Sequence, residues 1–207
     1  LAGDPIFFPR TAPQVVSVLE SQQLEYGQYW LSVGTLEPRK NLNRLLDAFS
    51  QLSTSERRAC PLVIVGGLGW GYADLLKRIE KLAASGEVRY LGYMPRQFQA
   101  ALMSGAKALI YPSRYEGFGL PLVEAMQSGT PVIASNAACL PEVLGTAGCV
   151  FEPDDLDTLT AHLRRLLEDE QFARMLSRRG LERSRAFSWN QCARQTHRVY
   201  EEAVSGR

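Results

Sequence analysis

Residues 106–126, AKALIYPSRYEGFGLPLVEAM, contain the pattern that decides the fold. A short apolar run at 108–111 leads into a loop with two glycines, and a helical stretch follows at 121–128. A near-continuous apolar strand followed by a helix is typical of a parallel sheet that is covered on both faces. The stretch therefore predicts one strand–helix unit of an α/β domain.

The same unit recurs along the chain. Apolar runs rich in β-branched or aromatic residues end in Gly, Pro or Ser, and helical stretches follow them. We therefore predict an α/β fold with a doubly wound, Rossmann-like parallel sheet of about six strands and helices on both faces. The predicted strands are 29–33, 62–65, 88–91, 108–111, 131–134 and 149–151, and the predicted helices between them are 42–52, 72–84, 97–105, 121–128 and a short turn at 140–144.

The two ends of the chain differ from this regular part. Residues 1–28 contain three prolines and a helical stretch at 14–24, so we expect a linker or approach segment with a short helix. Residues 29–207 form the predicted domain, which ends in helices at 156–168, 171–185 and 189–204. The sequence begins with Leu1 rather than Met, and we expect a processed chain or a piece of a longer one.

Composition excludes several classes of protein. The 207 residues are 45% hydrophobic, which argues against wholesale disorder, and 23 basic against 22 acidic residues give no field for gripping nucleic acid. No run of 18 apolar residues is present, so no transmembrane span is predicted. Four scattered cysteines without a C-x-x-C motif indicate reduced thiols in a cytoplasmic protein, with a Cys139–Cys149 bridge as the alternative.

The loop after the first predicted strand, GTLEPRKN at 34–41, carries candidate anion-binding residues. Gly34 lets the backbone approach a ligand closely, and Arg39 and Lys40 lie beside the N-terminus of the next helix, where Asn41 is the predicted N-cap. Two cations at the positive end of a helix favour a phosphate between them. The alternative is a pair of solvated charges in a surface loop.

The loop EGFGLPLVE at 116–124 is the second candidate. Its glycines permit tight turns and expose backbone N–H groups, and Pro121 suits the first helical position, which places Leu120 near the N-cap. Glu116 outside the helix and Glu124 within it can then face two parts of one extended ligand. The alternative is a loop charge and a favourable first-turn acid.

Three other features have plainer interpretations. The glycine run at 66–71 follows a strand but fails the G-x-G-x-x-G fingerprint, so a flexible turn is favoured over a dinucleotide site. Asp155-Leu156-Asp157 resembles a D-x-D metal motif, but Asp154 and Asp155 follow Pro153 and open a helix, where acids are expected to cap the N–H groups. The segment 164–198 holds nine Arg against four acids, which indicates solvated helix faces or, alternatively, weak adhesion to anionic lipid headgroups.

Taken in order, the motifs resemble the C-terminal nucleotide-sugar-binding domain of retaining GT-B glycosyltransferases, specifically glycosyltransferase family 4. The resemblance runs from about residue 29 to residue 204. It is carried by G-T-x-E-P-R-K-N at 34–41, the LGYMP turn at 91–95, E-G-F-G-x-P-x-x-E-A at 116–125, GTPVIAS at 129–135 and LPEV at 140–143.

The resemblance implies a role for each candidate residue. Glu116 with the N–H groups of the following glycine loop would hold the donor hexose, Glu124 would accept hydrogen bonds from the ribose, and Arg39 and Lys40 would neutralise the diphosphate as leaving-group charge grows. The implied catalytic residues are Glu116, Lys40 and Arg39, and the implied substrate-binding residues are Glu124, Gly117, Phe118, Gly119, Leu120, Gly34 and, at the nucleobase, Tyr93 and Met94. No metal or other cofactor is implied.

Two departures from the family accompany these roles. Thr35 stands where many members carry Arg, so diphosphate neutralisation would rest more on Arg39 and Lys40. The family's N-terminal acceptor-binding half is missing from the 207 residues, so we expect nucleotide-sugar binding with little turnover.

The expected function is transfer of a hexose from a nucleoside-diphosphate sugar to a hydroxyl of a glycan or lipid-linked acceptor. The loop at 34–41 looks like that of bacterial polysaccharide enzymes, which favours mannose from GDP-mannose. The expected location is the cytoplasm, at most peripheral to the inner face of the membrane. The rival interpretations are a non-catalytic nucleotide-sugar-binding module acting in trans with a partner chain, and an NAD-dependent dehydrogenase, whose glycine fingerprint fails here.

Overall fold

In the computed structural model, which describes residues 1–206, six strands form one sheet. Their order across the sheet is 3-2-1-4-5-6 in chain numbering, and all neighbouring strands are parallel. The predicted doubly wound α/β class is therefore confirmed. The strands are β1 Trp30–Val33, β2 Leu62–Val65, β3 Val88–Tyr90, β4 Ala108–Tyr111, β5 Val132–Ser135 and β6 Cys149–Phe151.

Helices surround the sheet at the predicted places, with bounds that differ by a few residues. They are α1 Ala12–Ser21, α2 Leu42–Ser50, α3 Thr54–Ala59, α4 Ala73–Ala83, α5 Arg96–Gly105, α6 Leu120–Gln127, α7 Leu140–Leu144, α8 Leu156–Glu168, α9 Glu170–Ser184 and α10 Trp189–Ser205. A 3-10 turn at Pro38–Lys40 precedes α2.

Helix α3 and the 3-10 turn were not predicted from the sequence. Helix α3 buries no side chain, so it has no apolar periodicity to reveal it. Its signal is a capping box instead: the Ser53 hydroxyl accepts from the Glu56 amide, and the Glu56 carboxylate accepts from the Ser53 amide.

Alternate strand positions supply two core layers, one on each face of the sheet. Leu31 and Leu109 belong to the layer under α1, α5, α6 and α7, whereas Trp30 and Ile110 belong to the layer under α2, α4 and α8. Side chains of a strand point to opposite faces in turn, which explains why the strand sequences are apolar throughout.

The segment 1–28 contains its predicted helix, α1, and packs on the domain. Phe7, Val15 and Leu19 are buried in the same layer as the helices α5 and α6. The Ser104 hydroxyl of α5 donates to the Phe8 carbonyl at 2.9 Å. The segment expected as a linker is thus part of the packed structure, and the division of the chain at residue 28 stays a prediction.

The starts of two helices differ in detail from the prediction. Gly119 is the N-cap of α6, so Leu120 lies next to the cap as expected, whereas Pro121 takes the second helical position rather than the first. Gly119 has a φ of +90°, a conformation that glycine adopts without steric cost. Asn41 does precede α2, but its backbone is left-handed at φ +54° and its amide nitrogen donates to the Pro153 carbonyl at 2.8 Å instead of capping the helix. Asp155 caps α8 as expected.

Candidate functional site

The candidate residues lie at the carboxyl ends of β1 and β4, the two central strands of the sheet. The chain proceeds from β1 outward to β2 and β3 and then returns to place β4 on the other side of β1. In open α/β sheets the crevice at such a reversal of strand order is where ligands bind. The loops 34–41 and 112–119 meet at this crevice because their strands are parallel neighbours.

Four side chains form what we call the Glu116 cluster: Arg39, Lys40, Tyr111 and Glu116. The Lys40 ammonium lies 2.6 Å from Oε1 of Glu116 and 3.0 Å from the Tyr111 hydroxyl. The Arg39 guanidinium donates to Oε2 of Glu116 at 3.0 Å. Lys40 and Glu116 are 8% and 9% exposed, so this pairing is largely withdrawn from water.

The charges of the cluster stabilise one another. Burial would raise the pKa of Glu116, but hydrogen bonding from Lys40 and its positive charge outweigh burial and hold that pKa below the ordinary value. Burial alone would lower the pKa of Arg39. The hydrogen bond to Glu116 and the negative charge of that residue outweigh burial and raise the pKa of Arg39 above its ordinary value. Burial and then the charge of Glu116 raise the pKa of Tyr111. These shifts keep Glu116 as a carboxylate, Arg39 as a cation and Tyr111 as a neutral phenol at neutral pH.

The glycines around the cluster leave room beside it. A Cβ on Gly34 would lie 3.1 Å from Cε of Lys40, so a side chain there would crowd the ammonium. A Cβ on Gly119 would lie 2.6 Å from Leu140, whereas nothing stands within 4 Å of a Cβ on Gly117. The loop is thus open at Gly117 and packed at Gly119, and Phe118 and Leu120 are half-buried within it.

The second predicted carboxylate, Glu124, lies in α6 and has a separate partner. It is 3% exposed, and its Oε1 accepts from the Arg96 guanidinium at 2.6 Å. Arg96 opens α5 and also lies 3.6 Å from the carboxylate of Asp4 and over the ring of Phe7. We refer to these two residues as the Glu124–Arg96 pair.

The turn predicted to contact a nucleobase directly precedes Arg96. Tyr93 is 74% exposed, and Met94 is half-buried. The Met94 carbonyl accepts a hydrogen bond from the side-chain amide of Gln99 at 2.6 Å. The predicted residues thus form two groups, one around Glu116 and one around Glu124 and this turn. Within the described residues, neither Tyr93 nor Met94 makes a hydrogen bond to a predicted carboxylate.

Tyr111 and Arg96 were missed by the sequence reasoning. Tyr111 ends a predicted apolar strand, and nothing in an apolar run distinguishes an aromatic core residue from one that holds an ammonium. Arg96 follows Pro95 at the start of a predicted helix, where a cation is unfavourable beside the helix dipole. That mismatch was the available signal, as it was for Arg39 and Lys40.

The glycine run after β2 braces the β1 loop. The Leu36 amide donates to the Gly67 carbonyl at 2.9 Å, and a Cβ on Gly66 would lie 1.9 Å from the Gly34 carbonyl oxygen. The close approach of two backbones explains why Gly66 is a glycine.

The described residues contain neither a group of metal-binding side chains nor a membrane-spanning helix. Among residues 1–206, no three His, Cys, Asp or Glu side chains are grouped as metal ligands. Over the same range, no helix combines the length and apolar character needed to cross a bilayer. All four cysteines are free thiols, so no Cys139–Cys149 bridge forms.

Known proteins are similar in sequence to most of this chain. The family described as "Glycosyl transferases group 1" matches residues 20–183. The chain is 40% identical over 201 residues to the O-antigen chain mannosyltransferase B of Escherichia coli, a match that covers 97% of this chain and 53% of that protein. It is 44% identical over 172 residues to the MMP alpha-(1->4)-mannosyltransferase of Mycolicibacterium hassiacum, with 81% and 41% covered.

A solved structure gives the same result for the fold. Sucrose-phosphate synthase from Thermosynechococcus elongatus superposes with a TM-score of 0.82 at 27% identity, over 100% of this chain and 52% of that one. The chain spans about half the length of these relatives (53%, 41% and 52%), as expected of one half of a GT-B fold. The matched family over residues 20–183 and the shared fold lead to one conclusion: this chain belongs to the glycosyl transferases group 1 family.

Proposed function

We propose that this chain is the donor-binding part of a retaining glycosyltransferase, which moves a hexose from a nucleoside-diphosphate sugar to a hydroxyl of a glycan or lipid-linked acceptor. One observation carries the proposal: a buried carboxylate, Glu116, is held by Lys40 and Arg39 beside an open glycine loop at the strand-order reversal. Two cations next to a helix N-terminus suit a diphosphate, and the carboxylate suits the hydroxyls of a sugar.

The ion pairs indicate how the donor would be accommodated. A diphosphate entering beside Lys40 and Arg39 shares their positive charge, which frees the oxygens of Glu116 to accept from sugar hydroxyls. As the sugar–phosphate bond breaks, negative charge grows on the leaving diphosphate, and cations already fixed beside it stabilise that charge without reorganisation. In this proposal Gly117 to Gly119 supply backbone N–H groups, Glu124 accepts from the ribose, and Tyr93 and Met94 flank the base.

Mannose from GDP-mannose is the proposed donor. Two relatives at 40% and 44% identity are named as mannosyltransferases, and the first match includes the 34–41 and 116–124 loops, since it covers 97% of this chain. We further propose that transfer needs no metal, because Lys40 and Arg39 supply the positive charge that a divalent cation would otherwise give. The acceptor would be bound by an additional domain, so the 207-residue chain is expected to bind donor with little turnover.

Isothermal titration calorimetry with GDP, UDP, GDP-mannose and UDP-glucose tests the proposal. We expect GDP-mannose to bind most tightly and all binding to persist in EDTA. The variant Glu124→Ala should weaken binding of bare GDP, whereas Glu116→Ala should mainly reduce the difference in affinity between GDP-mannose and GDP. Absence of binding of every nucleotide at millimolar concentration would refute the site, and the reverse pattern of the two variants would exchange their roles.

The rival function is a non-catalytic nucleotide-sugar-binding module that acts in trans. Donor binding alone does not distinguish it from a transferase. Joining this chain to the N-terminal half of its E. coli relative and measuring release of GDP from GDP-mannose does so, because only a transferase consumes donor when acceptor is added.

A further inference from the structure

The Glu124–Arg96 pair connects the second carboxylate of the site to the N-terminal segment of the chain. Glu124 is 3% exposed and lies one turn into α6, whereas the Arg96 side chain is 43% exposed and opens α5. The Arg96 guanidinium donates a hydrogen bond to Oε1 of Glu124 at 2.6 Å. No hydrogen bond to Oε2 of Glu124 is present within residues 1–206, so this oxygen remains available to a ligand.

Arg96 also contacts the N-terminal segment of the chain. Its guanidinium lies 3.6 Å from Oδ2 of Asp4 and 4.7 Å from the centre of the Phe7 ring. The Asp4 side chain is fixed because its Oδ1 accepts from the Ile6 amide at 3.0 Å, and Phe7 is 2% exposed. Both carboxylates approach the same nitrogen, Nη2, and the guanidinium also lies over the Phe7 ring, so turning the Arg96 side chain away would break all three contacts.

The same segment is anchored to α5, the helix that Arg96 opens. Arg10 donates to the carbonyls of Ile6 at 2.7 Å and Ala100 at 3.3 Å, and the Ser104 hydroxyl donates to the Phe8 carbonyl. The positions of Asp4 and Phe7 are therefore set relative to Arg96 by contacts independent of Glu124.

Accepting the donor site proposed above, we infer that Arg96 is a positioning residue of the nucleotide site: it keeps the Glu124 carboxylate turned so that Oε2 meets the ribose hydroxyls, and Asp4 and Phe7 hold Arg96 in place. Without this guanidinium, the buried carboxylate would have no charged partner among residues 1–206 and would turn away or recruit water. Ribose recognition in this chain then depends on residues of the N-terminal segment.

Paired ligands test this role. GDP carries both ribose hydroxyls and 2′,3′-dideoxy-GDP carries neither, so the ratio of their dissociation constants measures ribose recognition apart from the base and the diphosphate. In the wild-type chain we expect GDP to bind about tenfold more tightly than the dideoxy compound, which is typical of a hydrogen bond to a charged group.

The variant Arg96→Gln should weaken GDP about tenfold and leave dideoxy-GDP unchanged, so that the ratio falls toward one. Arg96→Lys, which retains the charge, should recover part of the ratio. Asp4→Asn keeps the oxygen that accepts from Ile6 and removes only the charge facing Arg96, so it should reduce the ratio about twofold. Arg174→Gln is the matched control, since Arg174 pairs with Glu170 on the surface of α9 and should change neither ligand.

Other results of these titrations would overturn either the positioning role of Arg96 or the proposed function. An unchanged ratio in Arg96→Gln, or an equal loss for both ligands, overturns the positioning role and leaves the donor site standing. Tighter GDP binding by Arg96→Gln also overturns it, because Arg96 would then compete with the ribose. A wild-type chain that binds GDP and dideoxy-GDP equally well removes the ribose role of Glu124 and this inference with it, whereas a wild-type chain that binds no nucleotide refutes the proposed function itself.

Discussion

Two buried glutamates with cationic partners lie at opposite edges of the sheet, and their surroundings differ. Glu116 follows β4 at the carboxyl edge and lies 2.6 Å from Lys40, whereas Glu87 precedes β3 at the amino edge and lies 2.7 Å from Arg57. The two glutamates are 9% and 6% exposed. By pairing, distance and burial alone they would be given the same role.

The partners of the cations separate the two sites. The Arg57 guanidinium also donates to the carbonyls of Ser50 and Leu52 and to the Thr54 hydroxyl, so it ties the end of α2 to α3 and to β3. Lys40 uses two of the three donors of its ammonium within the described residues, and open space lies next to Gly117. A pair whose hydrogen-bond donors are nearly all used is suited to stability, and a pair with an unused donor near open space is suited to a ligand.

The largest expected effect comes from Lys40→Met, which keeps the apolar stem and removes the ammonium. The dissociation constant of GDP should rise about 100-fold, as for loss of one partner of a buried charged contact. Folding should be only mildly affected, because Arg39 still pairs with Glu116. Calorimetry measures the GDP affinity of this variant, and urea unfolding measures its stability. If GDP affinity were unchanged, the Lys40–Glu116 pair would be structural, like the Glu87–Arg57 pair.

Glu87→Gln should lower stability without changing GDP affinity. Removal of this charge leaves Arg57 without its carboxylate partner and should lower the free energy of unfolding by about 2 kcal/mol, measured by urea titration. GDP affinity should stay at the wild-type value. Glu170→Gln, which breaks the exposed pair with Arg174, is the control and should cost less than about 0.5 kcal/mol. A loss of GDP affinity on changing Glu87 would erase the distinction between the edges.

The smallest effect is a pH dependence at Glu116. Its pKa is held below the ordinary value in the folded chain, so its ionised form contributes stability above the unfolded pKa of about 4.3. That contribution is lost as the pH falls through the lower folded value. The excess stability of the wild type over Glu116→Gln should therefore be constant from pH 7 to pH 5 and shrink toward pH 3. A difference that grows on acidification would contradict the assigned ionisation.

The fold was predictable because its signals are local. Strand sequences apolar throughout, glycines at strand ends and helical periodicity lie within a few residues of one another, and the six strands follow them to within two residues. The two motif loops were predictable for the same reason. The bounds and the cap of α6 were less so, since Pro121 is tolerated at either of the first two helical positions and the φ of Gly119 decides between them.

The contacts that organise the site were not predictable from one sequence. Tyr111 reaches Lys40 across 71 positions of the chain, and Arg96 reaches Glu124 across 28. Local pattern carries no information on which side chains two parallel strands bring together. The roles of Glu116, Glu124, Arg39 and Lys40 toward a donor remain predictions.

The crossing of the loops after β1 and β2 has a consequence for how this protein tolerates sequence change. A Cβ at position 66 would fall 1.9 Å from the backbone of the neighbouring loop, whereas nothing stands within 4 Å of a Cβ at position 67. These two adjacent glycines therefore differ in whether a larger residue can replace them. In a randomised library selected for folding, Gly66 should remain fixed while Gly67 drifts, so the loop after β2 can be diversified at its second glycine but not at its first.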